Sequence, residues 1–124
     1  MEKSLVILKP DALHRQLFGN FCDFLKEKDL VIDEYRYIQS PTADKINQHY
    51  LEHIDKDWYP QLFEYMVGGP LIVMSIKGDT VSNIRLKCMT YRSRHQIGKM
   101  YNTIHASDSE ESALRELKVW GLYP

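Results

Sequence analysis

Apolar positions fall into two kinds of run along this chain. Ser4-Leu-Val-Ile-Leu8 and Leu71 to Ile76 are short, almost wholly apolar stretches rich in branched residues, which predicts two buried strands. Between them, Leu13, Leu17, Phe21, Phe24 and Leu25 recur at helical spacing, predicting a helix from Ala12 to Lys28. Asp29 to Gln39 alternates loosely around Leu30, Ile32, Tyr35, Tyr37 and Ile38, predicting a strand with one wet face. Ser40-Pro-Thr42 turns into a helix of about ten residues from Ala43, carrying Tyr50 and His53. Asp55-Lys-Asp57 breaks it, and Trp58-Tyr-Pro60 opens a second short helix through Met66. Gly68-Gly-Pro70 is a turn. Thr80 caps a helix to about Met89, Tyr101 to His105 forms the last strand, and a helix closes the chain.

The order β–α–β–α(α)–β–α–β–α fits a ferredoxin-like α+β fold, βαββαβ. Its four-stranded sheet is antiparallel or mixed, with helices packed on one face. A small flavodoxin-like fold is the alternative. It needs more buried parallel strands, and no glycine-rich phosphate loop follows the first strand.

Composition narrows the class. A 44% hydrophobic content over 124 residues suffices for one domain with a real core, and a net charge of −1 gives no reason to expect nucleic acid or a membrane surface. No apolar run approaches a membrane span, and the N-terminal run is too short for a signal peptide. Cys22 and Cys88 show neither metal spacing nor a disulfide framework, which fits a reducing, cytoplasmic setting.

The chemistry concentrates near the C-terminus. In Asn102-Thr-Ile-His105-Ala-Ser-Asp-Ser-Glu-Glu, Ser107 and Glu110 have capping-box spacing, and acidic residues crowd the first turn of the predicted helix. His105 would then stand ahead of a helix N-terminus, where free N–H groups hold anions. Glu116, further along, could fix one ring nitrogen and leave the other free as a nucleophile. An ordinary cap with an incidental histidine is the competing reading.

Charge adds weight to the first. Thr80 to Ser107 contains no Asp or Glu but carries Arg85, Lys87, Arg92, Arg94 and Lys99, a local field suited to a polyanion such as a nucleotide phosphate. A solvated basic face would look the same. Lys9, with Asp11 placed to cap the next helix, ends the first strand. Trp58 is either a base-stacking platform or a core aromatic.

Four blocks in order carry a family resemblance: Leu5-Val-Ile-Leu-Lys9-Pro-Asp-Ala12, His49-Tyr50-Leu-Glu-His53, Trp58-Tyr-Pro-Gln-Leu62 with Gly69-Pro70, and Asn102-x-x-His105-Ala-Ser-Asp-Ser-x-x-Ser112-Ala113. The chain resembles nucleoside diphosphate kinase over nearly its whole length, as one domain over residues 1–124. The last block is similar to the family's N-x-x-H-G-S-D-S signature.

The resemblance implies transfer of a γ-phosphoryl group from a nucleoside triphosphate, such as ATP, to a nucleoside or deoxynucleoside diphosphate. The route is ping-pong, through phosphorylated His105. Asn102 would bond the sugar, Lys9 the sugar and phosphates, and Arg85 and Arg92 the phosphates. Tyr50 would lie beside the histidine, Trp58 would stack the base and Leu62 would line its slot. Ser107 and Glu116 would position the imidazole, and Ser109 falls at the signature's second serine. The resemblance also implies Mg²⁺ held mainly by the phosphates, with no direct protein ligand, and a homo-oligomer built from dimers into a tetramer or hexamer.

Two departures stand out. Ala106 replaces the signature glycine, and the segment between the Arg85 helix and His105 is much shorter than the family's usual loop. The short segment should widen the nucleotide mouth and alter base or sugar preference. A nucleotide-binding or regulatory module without turnover is the alternative function, and a protein-histidine kinase would use the same His105.

Overall fold

The computed structural model describes residues 2–99 and 101–123. In chain order the elements are β1 (Ser4–Leu8), α1 (Pro10–His14), α2 (Phe18–Glu27), β2 (Val31–Ile38), α3 (Ala43–His49), a 3₁₀ turn (Leu51–His53), α4 (Tyr59–Val67), β3 (Leu71–Lys77), α5 (Val81–His95), β4 (Ile104–Ala106) and α6 (Glu110–Val119). The strands form one sheet in the order β2-β3-β1-β4, and every neighbouring pair is antiparallel. This is the expected ferredoxin-like α+β arrangement.

β1 explains why the strand runs read as continuously apolar. All five of its residues are buried. Val6 and Leu8 pack with Ala12, Phe21, Phe24, Ile84, Cys88 and Tyr91. Leu5 and Ile7 pack on the opposite face with Ile46, Tyr59, Leu62, Met66, Leu117 and Trp120. A strand covered on both faces loses its alternation. Helices therefore lie on both faces of the sheet, not on one. The segments added between β2 and β3 and after β4 supply the second layer.

Four element boundaries differ from the sequence expectation. The helix from Ala43 ends at His49, which leaves Tyr50 as its C-cap and His53 in the 3₁₀ turn. The helix expected over Ala12 to Lys28 is broken into α1 and α2. Gln16, at φ 56°, ends α1 as a Schellman motif, with Leu17 N–H donating to Ala12 C=O and Gln16 N–H to Leu13 C=O. Glycine usually fills that position, so glutamine gave no signal. α5 continues two turns past Met89 because Tyr91 extends the Ile84–Cys88 stripe and packs edge-on against Phe21. The last strand is shorter than Tyr101 to His105, because Thr103 turns to φ 76°.

Two caps also move. Ser109, not Ser107, caps α6, accepting from Ser112 N–H at 3.1 Å. Asp11 caps nothing, and its carboxylate instead reaches Thr103. His105 consequently lies within β4, opposite Ile7, rather than against the helix start.

Candidate active site

The end of β1, β4, the α3–α4 connection and parts of α5 and α6 enclose a cavity of about 660 Å³. Nine of the expected site residues line it: Lys9, Tyr50, Trp58, Leu62, Arg85, Arg92, Asn102, His105 and Glu116. The tenth, Ser107, is fully buried behind the wall. The extension of α5 is what brings Arg85 and Arg92 together. Seven residues apart on one helix, they share a face two turns long.

At the centre, His105 Nε2 lies 2.9 Å from Glu116 Oε1, and the Ser107 hydroxyl donates to the same oxygen at 2.8 Å. Burial pushes the His105 imidazole down to about 3, assisted by the nearby Lys9, Arg85 and Arg92 charges. Burial also raises the Glu116 carboxyl, while the Ser107 hydrogen bond and the nearby Arg115 charge oppose that rise. The ring is therefore neutral near pH 7 and donates its Nε2 proton to the carboxylate. Nδ1 keeps its lone pair, and no described residue bonds it.

His49 completes the back wall. Its ring meets that of His105 edge to face at 4.5 Å between centroids, and it is 2% exposed. The Trp120 indole N–H donates to His49 Nδ1 at 3.0 Å, so the proton of the neutral ring sits on Nε2, which has no partner. His49, His105 and Glu116 lie close enough together to suggest a metal triad. The protons argue otherwise, because His49 Nε2 carries one and the other two groups bond each other. Burial holds His49 well below the usual histidine range, with His105 beside it. Sequence reasoning quoted His49 within a motif but gave it no role. The signal lay in its pairing with Trp120, which is 71 residues away.

The cavity wall near the His105 ring is cationic. Lys9 is 5% exposed and donates to Asn102 Oδ1 at 2.7 Å, while Asn102 Nδ2 donates to Lys99 C=O at 2.9 Å. Burial, with the Arg92 charge adding to it, lowers the Lys9 ammonium to about 7. Arg85 donates to the Ala106 carbonyl at 2.8 Å and pairs with Asp108 at 2.5 Å. Arg115, not anticipated from sequence, stands 3.7 Å from Glu116 Oε2 and also lines the cavity. The Tyr50 hydroxyl is buried without a partner.

At the mouth, Trp58 is 47% exposed, which decides against a core role, and Leu62 follows one turn along α4. The cavity thus offers an apolar platform at one end. A bank of cations near the His105 ring lies at the other.

Comparison with known proteins identifies the family and the fold. The family model for nucleoside diphosphate kinase matches residues 2–121. A nucleoside diphosphate kinase of Nocardioides sp. is 38% identical over 131 residues, covering 95% of each chain. One of Methanothermobacter thermautotrophicus is 37% identical, covering 97% of this chain and 87% of the relative. Among solved structures, the nucleoside diphosphate kinase of Encephalitozoon cuniculi superposes with a TM-score of 0.89 at 26% identity, over 100% of this chain and 93% of that one. A nucleoside diphosphate kinase family protein of Babesia bovis does so at 0.84 and 30% identity, covering 97% and 88%. With a family model spanning nearly the whole chain and relatives above 30% identity along their length, the chain belongs to the nucleoside diphosphate kinase family.

Proposed function

We propose that this chain transfers the γ-phosphoryl group of a nucleoside triphosphate such as ATP to a nucleoside or deoxynucleoside diphosphate, by way of a phosphohistidine at His105 Nδ1. The observation that carries the reading is the bond from His105 Nε2 to Glu116, which leaves Nδ1 as an unprotonated nucleophile in a cationic cavity. In the first half-reaction the Nδ1 lone pair attacks the γ-phosphorus, the N–P bond forms, and the bond to the β-phosphate oxygen breaks to release the diphosphate. The second half-reaction reverses this onto another diphosphate.

Phosphoryl transfer asks the protein mainly for position and for donors to the phosphate oxygens. Arg85, Arg92, Lys9 and the unpartnered Tyr50 hydroxyl supply those donors, Asn102 bonds the sugar, and Glu116, backed by Ser107, keeps the imidazole oriented. Magnesium would be held by the nucleotide phosphates and would offset part of their charge. The donor set fits a metal held by the phosphates, because the one buried carboxylate of the cavity is already engaged by His105 and Ser107, while Asp108 and Glu52 are exposed at its wall.

The test is labelling with γ-labelled ATP and magnesium, removal of free nucleotide, and a chase with diphosphates. Acid-labile label that leaves on the chase supports the reading. Nucleotide binding without label would leave only the regulatory-module alternative, against which the polarised His105–Glu116–Ser107 arrangement already argues.

Trp58 and Leu62 form the base slot, with Trp58 as the stacking face. Trp58→Ala should weaken nucleotide binding by roughly 5- to 150-fold, the equivalent of about 1–3 kcal/mol of stacking. Unchanged affinity in a titration would rule the platform out.

Lys9 gives a pH signature. Its folded-state value near 7 lies below that of a free lysine, so at pH 8 it is largely neutral before phosphate arrives. A bound polyphosphate raises it again, and binding then takes up close to one proton. Affinity should be flat below about pH 7 and fall as pH rises above it. Calorimetry at pH 8 in buffers of different ionisation enthalpy reads the uptake, and Lys9→Met should remove it. Uptake unchanged in that variant would exclude Lys9.

We also infer a homo-oligomer. β2 is an edge strand with Val31, Tyr35 and Tyr37 about half exposed, a surface suited to a second copy. Sedimentation of the dilute protein as a monomer would contradict this. No helix among the described residues is long and apolar enough to cross a membrane, and Cys22 and Cys88 are free thiols. We therefore assign the chain to the reducing cytoplasm, and fractionation of tagged protein with membranes would overturn that assignment.

A further inference from the structure

The turn that delivers His105 is built on a backbone outlier. Thr103 is β-branched, fully buried and at φ 76°. Such residues rarely enter the left-handed region, and they stay there only where the surroundings over-determine them. Ile104 N–H donates to Asn102 C=O at 2.8 Å, closing a three-residue turn around Thr103. Asn102, on one side of the turn, and His105, two residues beyond Thr103, both line the nucleotide cavity. A small rotation at Thr103 would move both.

The surroundings that fix Thr103 come from the segment 9–11, more than ninety residues earlier. Lys9 N–H donates to Thr103 C=O at 2.9 Å. Asp11 takes both remaining donors: Thr103 N–H to Oδ1 at 3.2 Å and the Thr103 hydroxyl to Oδ2 at 3.0 Å. Asp11 is in turn fixed by Tyr65, whose hydroxyl donates to Oδ1 and accepts from Asp11 N–H at 2.9 Å. Arg15 stands 3.8 Å from Oδ2. Asp11 does not line the nucleotide cavity, but lines a second, more open hollow behind the turn. A buried aspartate that caps no helix, and whose acceptors go to a strained residue, has another task.

We propose that Asp11 is a positioning residue for phosphoryl transfer: braced by Tyr65, it holds Thr103 in the strained turn that aligns His105 and Asn102 with the bound nucleotide. This rests on the reading of His105 as the nucleophile.

The test uses rapid-quench labelling by γ-labelled ATP at saturating nucleotide, with Asp11→Asn, Thr103→Val and Thr103→Gly, singly and with Asp11→Asn combined with Thr103→Gly. Thr103→Val keeps the branched Cβ and loses the hydroxyl. Thr103→Gly abolishes the strain, since glycine accepts positive φ freely.

Asp11→Asn and Thr103→Val should reach the wild-type extent of label, but about tenfold more slowly or worse, as misalignment of an in-line attack costs rate. Nucleotide affinity should move less than the rate does. Thr103→Gly should label within about threefold of wild type. In that background Asp11→Asn should lose most of its effect.

Wild-type rates in both Asp11→Asn and Thr103→Val would overturn the proposal. Equal losses from Asp11→Asn with and without Thr103→Gly would also overturn it. Should Asp11→Asn fail to fold, a slow Thr103→Val beside a fast Thr103→Gly supports the proposal, and equal rates in the two overturn it. Absence of label in the wild-type protein is a separate result, which removes the nucleophile reading itself.

Discussion

His105→Ala should abolish phosphoryl transfer, with a fall on the order of 10⁴-fold or more, because no other group nearby is placed to take the covalent step. The candidates nearby are poor nucleophiles. His49 has its Nδ1 occupied by the Trp120 indole, and its Nε2 carries the proton. Lys9 is bonded to Asn102.

The fold should survive His105→Ala. His105 lies at the cavity wall rather than in either core cluster, and β4 keeps its pairing to β1 through backbone bonds. Glu116 loses one donor but keeps Ser107, a cost of about 1–2 kcal/mol. Nucleotide binding should persist, since the base platform and the cations are untouched. The measurement is the acid-labile label on intact protein, read beside a thermal melt and a nucleotide titration. Folded, nucleotide-binding His105→Ala that still takes label would remove His105 as the phosphoryl acceptor.

How far the sequence anticipated this molecule depends on the range of each signal. β1 and β3 were legible because burial on both faces leaves an unbroken apolar run. The Lys9 strand end was legible as the end of that run, whereas the roles of Trp58 and Leu62 came only from the resemblance. The break after His14 was not, because the left-handed position that ends α1 is filled by Gln16 rather than glycine. The extent of α5 was also hidden. Past Met89 its only buried side chain is Tyr91, whose partners Phe21 and Phe24 lie some seventy residues earlier.

The site divides in the same way. The chemical residue types stood in readable motifs, and the resemblance assigned them roles. What holds them showed only in part. Glu116 could be read as fixing one ring nitrogen, while the spacing of Ser107 and Glu110 suggested a helix cap, and only the resemblance placed Ser107 beside the imidazole. Here it is buried between β1 and Glu116, and Ser109 takes the cap. Asp11 looked like a cap as well, and its partner lies 92 residues away. Tertiary hydrogen bonds leave no periodicity, so supporting residues are the last to be seen.

Glu116→Gln should lower phosphoryl transfer by about 10²-fold or more while leaving nucleotide affinity within a few-fold, because the change acts on which imidazole nitrogen carries the proton. The wild-type carboxylate accepts from His105 Nε2–H and from Ser107 at one oxygen, and faces Arg115 at 3.7 Å with the other. A carboxamide cannot satisfy all three. With its oxygen toward His105, its NH₂ points at the Arg115 guanidinium, donor against donor. With its NH₂ toward His105, Nε2 must become the acceptor, the proton moves to Nδ1, and the nucleophilic lone pair is gone. Relief of the Arg115 conflict favours the second arrangement.

Glu116→Asp is the matching control. It keeps the charge and acceptors but withdraws the carboxylate by one methylene, so transfer should fall less than in Glu116→Gln. Nitrogen-15 shifts of the His105 ring distinguish the tautomers directly. Nε2-protonated imidazole in the wild type and Nδ1-protonated imidazole in Glu116→Gln is the expected pair. The same tautomer in both proteins, or wild-type transfer by Glu116→Gln, would show that Glu116 does not act by fixing the proton on Nε2.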